Sequence, residues 1–476
     1  MSEAKVTQFP LDDLPAWCAR HGVKLHPLIK AVNVDGHGNG WIALESNGPF
    51  SSQDEVLLLS IPREVIFSTA YVKEYANANE SFRQLFEALP EFSPRLLIIL
   101  FMLVQLALLQ SSSQPDRDVV EPWREYTLLQ SADVLVSTMW SPAELSPLKD
   151  TSLESTVAAK LALLQREFSL ITLRTRSLRF WHETLFHNNG EPVSLQHWIW
   201  LDALFRSRSF DLPRSGESMV PCLDLANHSN ENTAYFRQET QTESVTLMIR
   251  REIISALCPG DEITISYGRD KPAAEMLFNY GFIPQDPNGS TTSVEQSESL
   301  MISLDDTPSW THWARDDPFL AAKLELFNDA PMLRLSVDRE GVASWSCSFV
   351  YILCVGEEDG FEFKKAQGED GRSGWTLLWH GKEISRMAGM LGLWLNAQGE
   401  LSGVVQGRLV SVLSGVVADQ LKKMRPLEVD AGVVKDGNHG IRPSVLRSVI
   451  QLRKVETRIL ERCLQALEEE RNRLRA

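Results

Sequence analysis

The hydrophobic positions of the chain follow two patterns that alternate along its length. Short apolar runs bounded by turn residues predict β-strands near the N-terminus and again in the middle of the chain. The predicted strands are Trp41–Leu44, Val56–Ile61, Thr246–Arg250 and Glu262–Ser266. Between about residues 68 and 187, apolar residues instead recur at three-to-four spacing, which predicts helices. The predicted helices are Tyr71–Leu89, Pro94–Gln110, Glu121–Thr127 and Thr151–Phe168, followed by Ser194–Phe210.

The helical pattern continues after a turn-rich, polar stretch, Pro284–Glu298, which predicts a domain boundary. The clearest later element is Ser444–Leu474, and Pro443 is well placed to start this helix. One apolar run, Leu96–Leu109, is shorter than the roughly 20 residues that cross a bilayer, and it contains Gln105. We therefore predict a buried helix there rather than a membrane segment.

Composition narrows the possible classes of protein. The chain has 476 residues, of which 43% are hydrophobic and 23% are charged. These values rule out a mostly disordered chain and suffice for two or three domains with their own cores. Lys and Arg number 47 against 63 Asp and Glu, so the net charge is −16. This excess of acid argues against binding to the nucleic-acid backbone and fits a basic partner or peptide substrate.

The cysteines and the N-terminal residues indicate in which cellular compartment the protein is expected. Six cysteines are scattered without CxxC or zinc-ligand spacing, so we expect neither a disulfide scaffold nor a metal site. The first residues, Met-Ser-Glu-Ala-Lys, do not lead into the apolar run of a secretory signal. We therefore expect a protein of the cytoplasm, the nucleus or both.

A first candidate for chemistry is the stretch Gly36-His37-Gly38-Asn39-Gly40. Glycines at every second position let the backbone approach a ligand and donate its N–H groups. A strand pattern follows instead of a helix, and Gly-Lys-Ser/Thr is absent, so neither a dinucleotide fingerprint nor a P-loop fits. A plain glycine-rich hairpin remains the alternative.

Two further stretches combine polar and aromatic residues. Asp224–Ser229 reads Asp-Leu-Ala-Asn-His-Ser, which offers acceptors, an amide and an imidazole within six residues. It makes a poor metal site or nucleophile relay, and a capped Asn-His turn is the alternative. Gly260–Gly268 predicts a strand that ends at Tyr267, and Tyr280-Gly281-Phe282 follows it. A turn, a strand and a packed aromatic pair would explain these residues equally well.

Taken together, the order and spacing of these stretches resemble the SET-domain protein methyltransferases. The subgroup is typified by the Rubisco large-subunit lysine methyltransferase and the ribosomal-protein lysine methyltransferases. The motifs that carry the resemblance are Gly36–Gly40, Ser207-Arg208-Ser209-Phe210, Asp224–Ser229, Gly260–Gly268 and Leu277-Phe278-Asn279-Tyr280-Gly281-Phe282. The resemblance is strong from about residue 30 to 284. After residue 284 it rests only on the general, mainly helical character of the sequence.

The resemblance implies an α+β fold with two domains. A SET domain of short β-sheets would span residues 20–284, split by a helical insertion at about residues 68–190. A mainly α-helical substrate-binding domain would follow at residues 290–476. No cysteine-rich segment follows the SET motifs, as expected for this subgroup.

The resemblance also implies S-adenosylmethionine (SAM) as the cofactor. Gly38, Asn39 and Gly40 would cradle its methionine end, although many family members carry arginine where Asn39 stands. Arg208 would pair with the cofactor's carboxylate, a task suited to a guanidinium group.

Four further positions match the family's cofactor contacts. Asn227 and His228 would hold the amino group and the adenine of SAM. Asp224 would brace the segment that carries them, and Phe282 would stack on the adenine.

Tyr267 is the predicted catalytic residue. Methyl transfer from a sulfonium is an in-line displacement, which needs alignment and stabilised positive charge more than strong acid–base groups. The lysine must arrive uncharged, and a narrow aromatic channel favours this by desolvation. Phe210 and Tyr280 are candidates for the channel wall. An aromatic at Phe210 suits a lysine stem better than a histidine acceptor.

The sequence therefore predicts a SAM-dependent protein-lysine N-methyltransferase that acts on a nonhistone protein, with ribosomal proteins as the leading class. We expect a monomer with a basic protein substrate and neither a nucleic-acid nor a membrane partner. A degenerate SET fold that only binds a partner protein is one alternative. A SET enzyme that methylates histones or histidine is another.

Overall fold

The structure is a computed structural model that divides into two compact units. Unit 1 comprises Met1–Trp140, Val157–Arg269 and Leu277–Pro284, and unit 2 comprises Ser141–Thr156, Asp270–Met276 and Gln285–Ala476. The residues that the structure describes are 10–36, 38–44, 56–89, 93–110, 122–129, 134–187, 192–254, 256–268, 271–284, 297–304, 315, 317–327, 332–346, 348–367, 373–424 and 440–476. Residues 141–156, which the sequence assigns to the insertion, count with unit 2. The domain limits 20–284 and 290–476 stay a prediction.

Helices occur in both units. In chain order they are α1 Leu14–Arg20, α2 Thr69–Ala78, α3 Glu80–Glu87, α4 Pro94–Gln110, α5 Pro122–Leu129, α6 Pro142–Leu145, α7 Ser152–Thr175, α8 Arg179–Phe186, α9 Leu195–Arg208, α10 Ala273–Tyr280, α11 Leu320–Phe327, α12 Ser348–Leu353, α13 Leu391–Leu395, α14 Glu400–Lys423 and α15 Pro443–Arg475.

In the part of unit 1 that the structure describes, short strands form three antiparallel sheets. The strands are β1 Lys24–Leu25, β2 Ile29–Val34, β3 Gly38–Ala43, β4 Leu57–Ile61, β5 Phe67–Ser68, β6 Ser209–Leu212, β7 Gly216–Met219, β8 Ala234–Gln238, β9 Val245–Ile249 and β10 Glu262–Ile263. They pair in the orders β1-β4-β9-β8, β10-β3-β2 and β5-β7-β6. Because β3 pairs with both β2 and β10, the glycine hairpin lies beside the motif that begins at Gly260.

The core of unit 1 explains the apolar run of the sequence. In α4, the residues from Ile98 to Val104 are buried and contribute to a continuous hydrophobic core. The prediction of a buried helix at Leu96–Leu109 is therefore confirmed.

Several predicted helices differ from the observed ones. The helix predicted as Thr151–Phe168 continues to Thr175. Tyr71–Leu89 is two helices, α2 and α3, because Asn79 leaves helical geometry and its side chain caps α3 by accepting the Phe82 N–H at 2.9 Å. The helix predicted as Ser194–Phe210 ends at Arg208, since Ser209 is extended and begins β6.

Unit 2 adds two antiparallel sheets to its helices. The strands are β11 Glu298–Ser303, β12 Met332–Val337, β13 Ala343–Ser346, β14 Phe361–Gln367, β15 Ser373–Trp379 and β16 Lys382–Glu383, paired in the orders β11-β12-β13 and β14-β15-β16. None of these strands was predicted from the sequence. In β12, Leu333 and Leu335 are buried while Arg334 between them is exposed, so the strand pattern is present but short.

Two long helices build the core of unit 2. Helix α15 begins at Pro443, as predicted, and buries Val449, Leu452 and Leu460. Helix α14 is, by length and composition, apolar enough to cross a bilayer. Several of its apolar residues are buried in the unit 2 core, which accounts for this composition: Val405, Leu409, Leu413 and Val416.

A carboxylate lies buried within unit 2. Glu456 of α15 is 2% exposed and accepts hydrogen bonds from the backbone N–H of Ser152, at 3.2 Å, and from the Ser152 hydroxyl. Burial raises the pKa of Glu456 to about 7, against the opposing effects of these bonds and of Arg453. A nearby acidic residue, Glu298, adds to the rise.

This pKa predicts that the protein loses stability as the pH rises. A carboxyl group with a raised pKa in the folded state stabilises the fold fully below its unfolded pKa, and this contribution is lost as pH rises through about 7. Between pH 5 and pH 8 we expect the free energy of unfolding to fall by about 2 kcal/mol through this group. Glu456→Gln should abolish that part of the decline in urea unfolding.

The exposed Glu461 on the same helix supplies the control. Glu461→Gln should keep the wild-type pH dependence. Parallel pH curves for the two variants would mean that Glu456 does not titrate in this range.

Candidate functional site

The site is built on two backbone stretches that lie side by side. The N–H of Ile265 donates to the carbonyl of Asn227 at 2.9 Å, and the N–H of Ser229 donates to the carbonyl of Ile265 at 3.1 Å. This is the parallel bridge between His228 and Ile265. The N–H of Tyr267 donates to Nδ1 of His228 at 3.1 Å. The second and third sequence motifs thus meet, as the resemblance implies.

The glycine hairpin closes on the same segment. The Nδ2 group of Asn227 donates to the carbonyl of Asn39 at 3.4 Å and to Oε1 of Glu262 at 2.6 Å. A Cβ on Gly40 would lie 2.7 Å from Asn227 Nδ2 and 2.9 Å from Glu262 Oε1. Only glycine at position 40 therefore permits this three-way contact. Gly38 opens the same strand, β3, while His37 lies outside the described residues.

Arg208 and Asp224 brace the Asn227–His228 segment from behind. Arg208, the last residue of α9, donates from Nη1 to the carbonyl of Asp224 at 2.8 Å. The Asp224 side chain is buried and accepts a hydrogen bond from the Tyr126 hydroxyl at 2.5 Å. That hydroxyl also accepts the N–H of Cys222 at 2.7 Å. Cys222 has a φ of +69°, a strained conformation for a residue with a side chain, and these bonds hold it in place.

Aromatic rings cover the other side of the segment. The hydroxyl of Tyr267 donates to the carbonyl of Ala226 at 3.0 Å, and its ring centroid is 4.6 Å from that of Tyr280. The ring of Phe282 is 6.0 Å from that of His228. Between the two aromatic residues, Gly281 has a φ of +84°, and a Cβ there would meet backbone atoms of the insertion at 2.5 Å. The turn between Tyr280 and Phe282 therefore requires glycine.

Burial sets the protonation of the two central side chains. It raises the pKa of Tyr267, with only a partial opposing effect from the cation of Arg208, so the phenol stays protonated. Burial lowers the pKa of His228, so the imidazole is neutral at neutral pH. Since Nδ1 of His228 accepts the Tyr267 N–H, its proton is on Nε2, which lies 3.2 Å from Oδ1 of Asn230.

Phe210 stands apart from this cluster. It lies on β6, two residues beyond Arg208, and its ring packs against Phe236 at a centroid distance of 5.1 Å. Among the described residues, no ring contact joins Phe210 to Tyr267 or Tyr280. Its place in a channel wall stays a prediction.

A buried group of charges positions the helix that precedes Arg208. Asp202 of α9 is buried, and its carboxylate pairs with Arg95 at 2.6 Å, Lys160 at 2.8 Å and Arg206 at 2.9 Å. Arg206 in turn donates to the carbonyl of Phe278 at 2.5 Å and to the hydroxyl of Thr138 at 2.7 Å. One turn of α9 therefore holds both the Asp224 segment and the residues that lead to Tyr280.

Sequence reasoning missed three residues that position the site. Glu262 was noted only as the first residue of a predicted strand within Gly260–Gly268, because its place beside the glycine hairpin arises from strand pairing. Arg206 stands two positions before Arg208 and could have been noticed as a second arginine on the same helix. Tyr126 gave no signal, because nothing in its neighbourhood links it to Asp224.

The Tyr126 hydroxyl predicts a large loss of stability in Tyr126→Phe. The substitution removes one partner of the buried Asp224 carboxylate and leaves the buried N–H of Cys222 without the bond it makes here. We expect a loss of about 3 kcal/mol in the free energy of unfolding, measured by urea titration. Glu461→Gln, at an exposed position of α15, is the control. Equal stability of the two variants would show that the Tyr126 hydroxyl is not a brace.

Comparison with known proteins extends the likeness in motifs over half to two thirds of the chain. No protein-family model matches the sequence. The chain is 26% identical over 328 residues to SET domain-containing protein 8 of Schizosaccharomyces pombe, covering 68% of each protein. It is 27% identical over 261 residues to the chloroplastic [fructose-bisphosphate aldolase]-lysine N-methyltransferase of Arabidopsis thaliana, covering 50% of the chain and 47% of that enzyme.

A third relative is the chloroplastic Rubisco large-subunit N-methyltransferase of Pisum sativum, 25% identical over 294 residues. That match covers 60% of the chain and 54% of the pea enzyme, so the chain spans about half the length of these two plant relatives.

Solved structures show the same fold over almost the whole length. Rubisco LSMT bound to AdoMet superposes with a TM-score of 0.64 at 20% identity, covering 98% of this chain and 93% of that one. The SET domain of LSMT bound to lysine and AdoHcy gives a TM-score of 0.64 at 18% identity, covering 100% and 93%. The predicted α+β class is therefore confirmed. The chain therefore has the fold of the Rubisco LSMT structures, and over about two thirds of its length it is similar in sequence to a SET domain-containing protein.

Proposed function

We propose that the protein is a SAM-dependent protein-lysine N-methyltransferase. The observation that carries the proposal is the convergence of Asn227, His228 and Tyr267 with the glycine hairpin and Arg208, in hydrogen-bonding contact through one short segment. The names of the plant relatives, which are lysine N-methyltransferases, support the same chemistry.

The residues present fit the amino-acid end of SAM, which carries both a carboxylate and an ammonium group. Arg208 supplies a cation for the carboxylate. Asn227 donates both of its amide hydrogens within the protein, to Asn39 and Glu262, so its carbonyl oxygen remains as the acceptor for an ammonium group. Around the Cα of Gly38, no described atom lies within 4 Å of the position that a Cβ would occupy, which leaves room for a ligand.

When bound, SAM would supply an electrophilic methyl group on a cationic sulfur. Tyr267 donates its hydroxyl hydrogen to the carbonyl of Ala226, so the lone pairs of its oxygen stay available to an incoming amine or methyl group. The raised pKa keeps this hydroxyl protonated, which fits an orienting and electrostatic role rather than that of a general base.

The acceptor we propose is lysine in its neutral form. The neighbouring rings of Tyr267 and Tyr280 would desolvate an ammonium group and lower its pKa. An apolar wall suits the aliphatic stem of lysine, and Phe210 would extend that wall if it lies along the channel. A polar residue would be a better partner for histidine.

The substrate we propose is a basic surface of a nonhistone protein. The net charge of −16 supports a basic surface, and the resemblance of the motifs makes ribosomal proteins the leading class. The Arabidopsis and pea relatives are named for aldolase and Rubisco, so metabolic enzymes are a second class. We place the protein in the cytoplasm, the nucleus or both, as a monomer.

Asn39, which departs from the arginine of many family members, is the main support for a binding module without activity. Its side chain accepts a hydrogen bond from Asn33 across the hairpin at 3.4 Å, whereas its contact with Asn227 is made by the backbone carbonyl. Replacing the arginine found in many family members therefore leaves the backbone contact unchanged, which supports an active enzyme.

The proposal predicts methyl transfer that depends on the Tyr267 hydroxyl. Wild-type protein incubated with radiolabelled SAM and cell extract should label a protein band, and Tyr267→Phe should reduce the rate about 100-fold or more. Mass spectrometry of the product should locate the methyl group on lysine. Labelled ribosomal proteins and labelled metabolic enzymes would distinguish the two substrate classes.

Tyr351→Phe removes a hydroxyl from unit 2 and should keep full activity. Equal rates for Tyr267→Phe and wild type would remove Tyr267 from its assigned role. SAM binding without labelling in any extract would favour the binding module. A methyl group on histidine, or on a histone, would show that the proposed substrate is wrong.

The dependence of kcat/KM on pH should follow the ionisation of the substrate lysine and not that of Tyr267. Free lysine has a pKa near 10.4, so the neutral fraction grows as pH rises, and kcat/KM should increase between pH 7 and 9. Because burial raises the pKa of Tyr267, no decline from its ionisation is expected in this range. A fall in kcat/KM over these pH units, measured with purified substrate, would contradict this assignment.

A further inference from the structure

We propose that Glu262 is a positioning residue that fixes the side-chain amide of Asn227, so that the carbonyl oxygen of this amide faces the ammonium group of SAM. The inference rests on the proposed function, since it concerns the same cofactor. It assigns Glu262 a contact with Asn227 and none with the cofactor.

The chemistry of the two partners determines the amide's orientation. Nδ2 of Asn227 lies 2.6 Å from Oε1 of Glu262 and 3.4 Å from the carbonyl oxygen of Asn39. A carboxylate and a backbone carbonyl only accept hydrogen bonds, so the flipped amide would place its own oxygen against two acceptors. The assignment of nitrogen and oxygen therefore follows from the neighbours, and the remaining amide oxygen must serve a donor.

Both ends of this contact are held by the fold. The backbone of Asn227 is fixed by the hydrogen bond from Ile265, so only its side-chain torsions remain free. Glu262 lies on β10, where it pairs with Ile42 of β3, and its carbonyl accepts from the Thr233 hydroxyl at 3.4 Å. The carboxylate is thus delivered from a strand, which positions groups more accurately than a loop does.

Glycine at position 40 is the third requirement. A methyl group at this position would come within 3 Å of both Asn227 Nδ2 and Glu262 Oε1, and also of Val34. The contact between amide and carboxylate occupies the space that a side chain on β3 would need. The glycine motif therefore has a second purpose beside access for the ligand.

The carboxylate also strengthens the acceptor. An N–H that donates to an ionised oxygen polarises the amide, which makes the carbonyl oxygen at its other end a better acceptor. An ammonium group is the ligand that gains most from such an oxygen. Loss of Glu262 should therefore weaken recognition of the amino-acid end of SAM while leaving the adenosine end unaffected.

Calorimetry with two ligands tests this division. SAM carries the ammonium group, and 5′-methylthioadenosine keeps the adenosine and sulfur but lacks the amino-acid end. Glu262→Met should weaken SAM binding by about tenfold or more and change binding of 5′-methylthioadenosine by less than about twofold. Glu262→Gln keeps an acceptor oxygen of similar reach and should recover most of the loss.

Two further variants separate positioning from folding. Gly40→Ala, which inserts a methyl group into the contact, should show the same selective loss of SAM. In an Asn227→Ala background, Glu262→Met should have no additional effect on SAM affinity, because the amide that it positions is gone.

The outcomes divide clearly. If Glu262→Met lowered the affinity for both ligands equally, Glu262 would have a general structural role and the inference would be overturned. Unchanged affinity for SAM in Glu262→Met would also overturn it. So would an additional loss of SAM affinity when Glu262→Met is combined with Asn227→Ala. A wild-type protein that binds neither ligand would instead overturn the proposed function.

Discussion

The candidate site depends on one exchange of backbone hydrogen bonds, in which Ile265 donates to Asn227 and accepts from Ser229. Neither stretch is a long strand, and each would be an ordinary loop without the other. Side by side, they align an amide, an imidazole and a phenol over a few residues. Every contact of the site is attached to this pairing, including the glycine hairpin on one side and the rings of Tyr280 and Phe282 on the other.

The helical insertion supports this pairing directly. Tyr126 and Thr138 both come from the segment that separates the first glycine motif from the rest of the SET motifs. The hydroxyl of Tyr126 supports Asp224 and Cys222, and that of Thr138 accepts from Arg206. A strained backbone at Cys222 persists only where surrounding bonds over-determine it. The insertion therefore belongs to the architecture of the site and is more than an addition to the SET sheets.

Much of the fold and of the site could be predicted because its signals are local. Glycine spacing, the Asn-His pair and the Tyr-Gly-Phe turn are read from consecutive residues, and the structure brings these motifs together. The helix at Pro94–Gln110 followed from its apolar run in the same way. The strands of unit 2 were missed although Met332–Val337 alternates over six residues, because the long apolar runs of the neighbouring helices led to the expectation of a mainly helical domain. Tyr126 and Arg206 were missed because their partners lie far along the chain, and only tertiary packing reveals them.

The distances in sequence across the site have a consequence for synthesis. The hydrogen bond between Asn39 and Asn227 joins residues 188 positions apart, and the aromatic side ends only at Phe282. Contacts of this separation form late, after the intervening chain has closed. The ribosome must therefore synthesise the chain through Phe282 before all of these contacts can form. Until then the glycine hairpin lacks its partner strand β10, so the backbone hydrogen-bonding groups along that edge of β3 are unpaired.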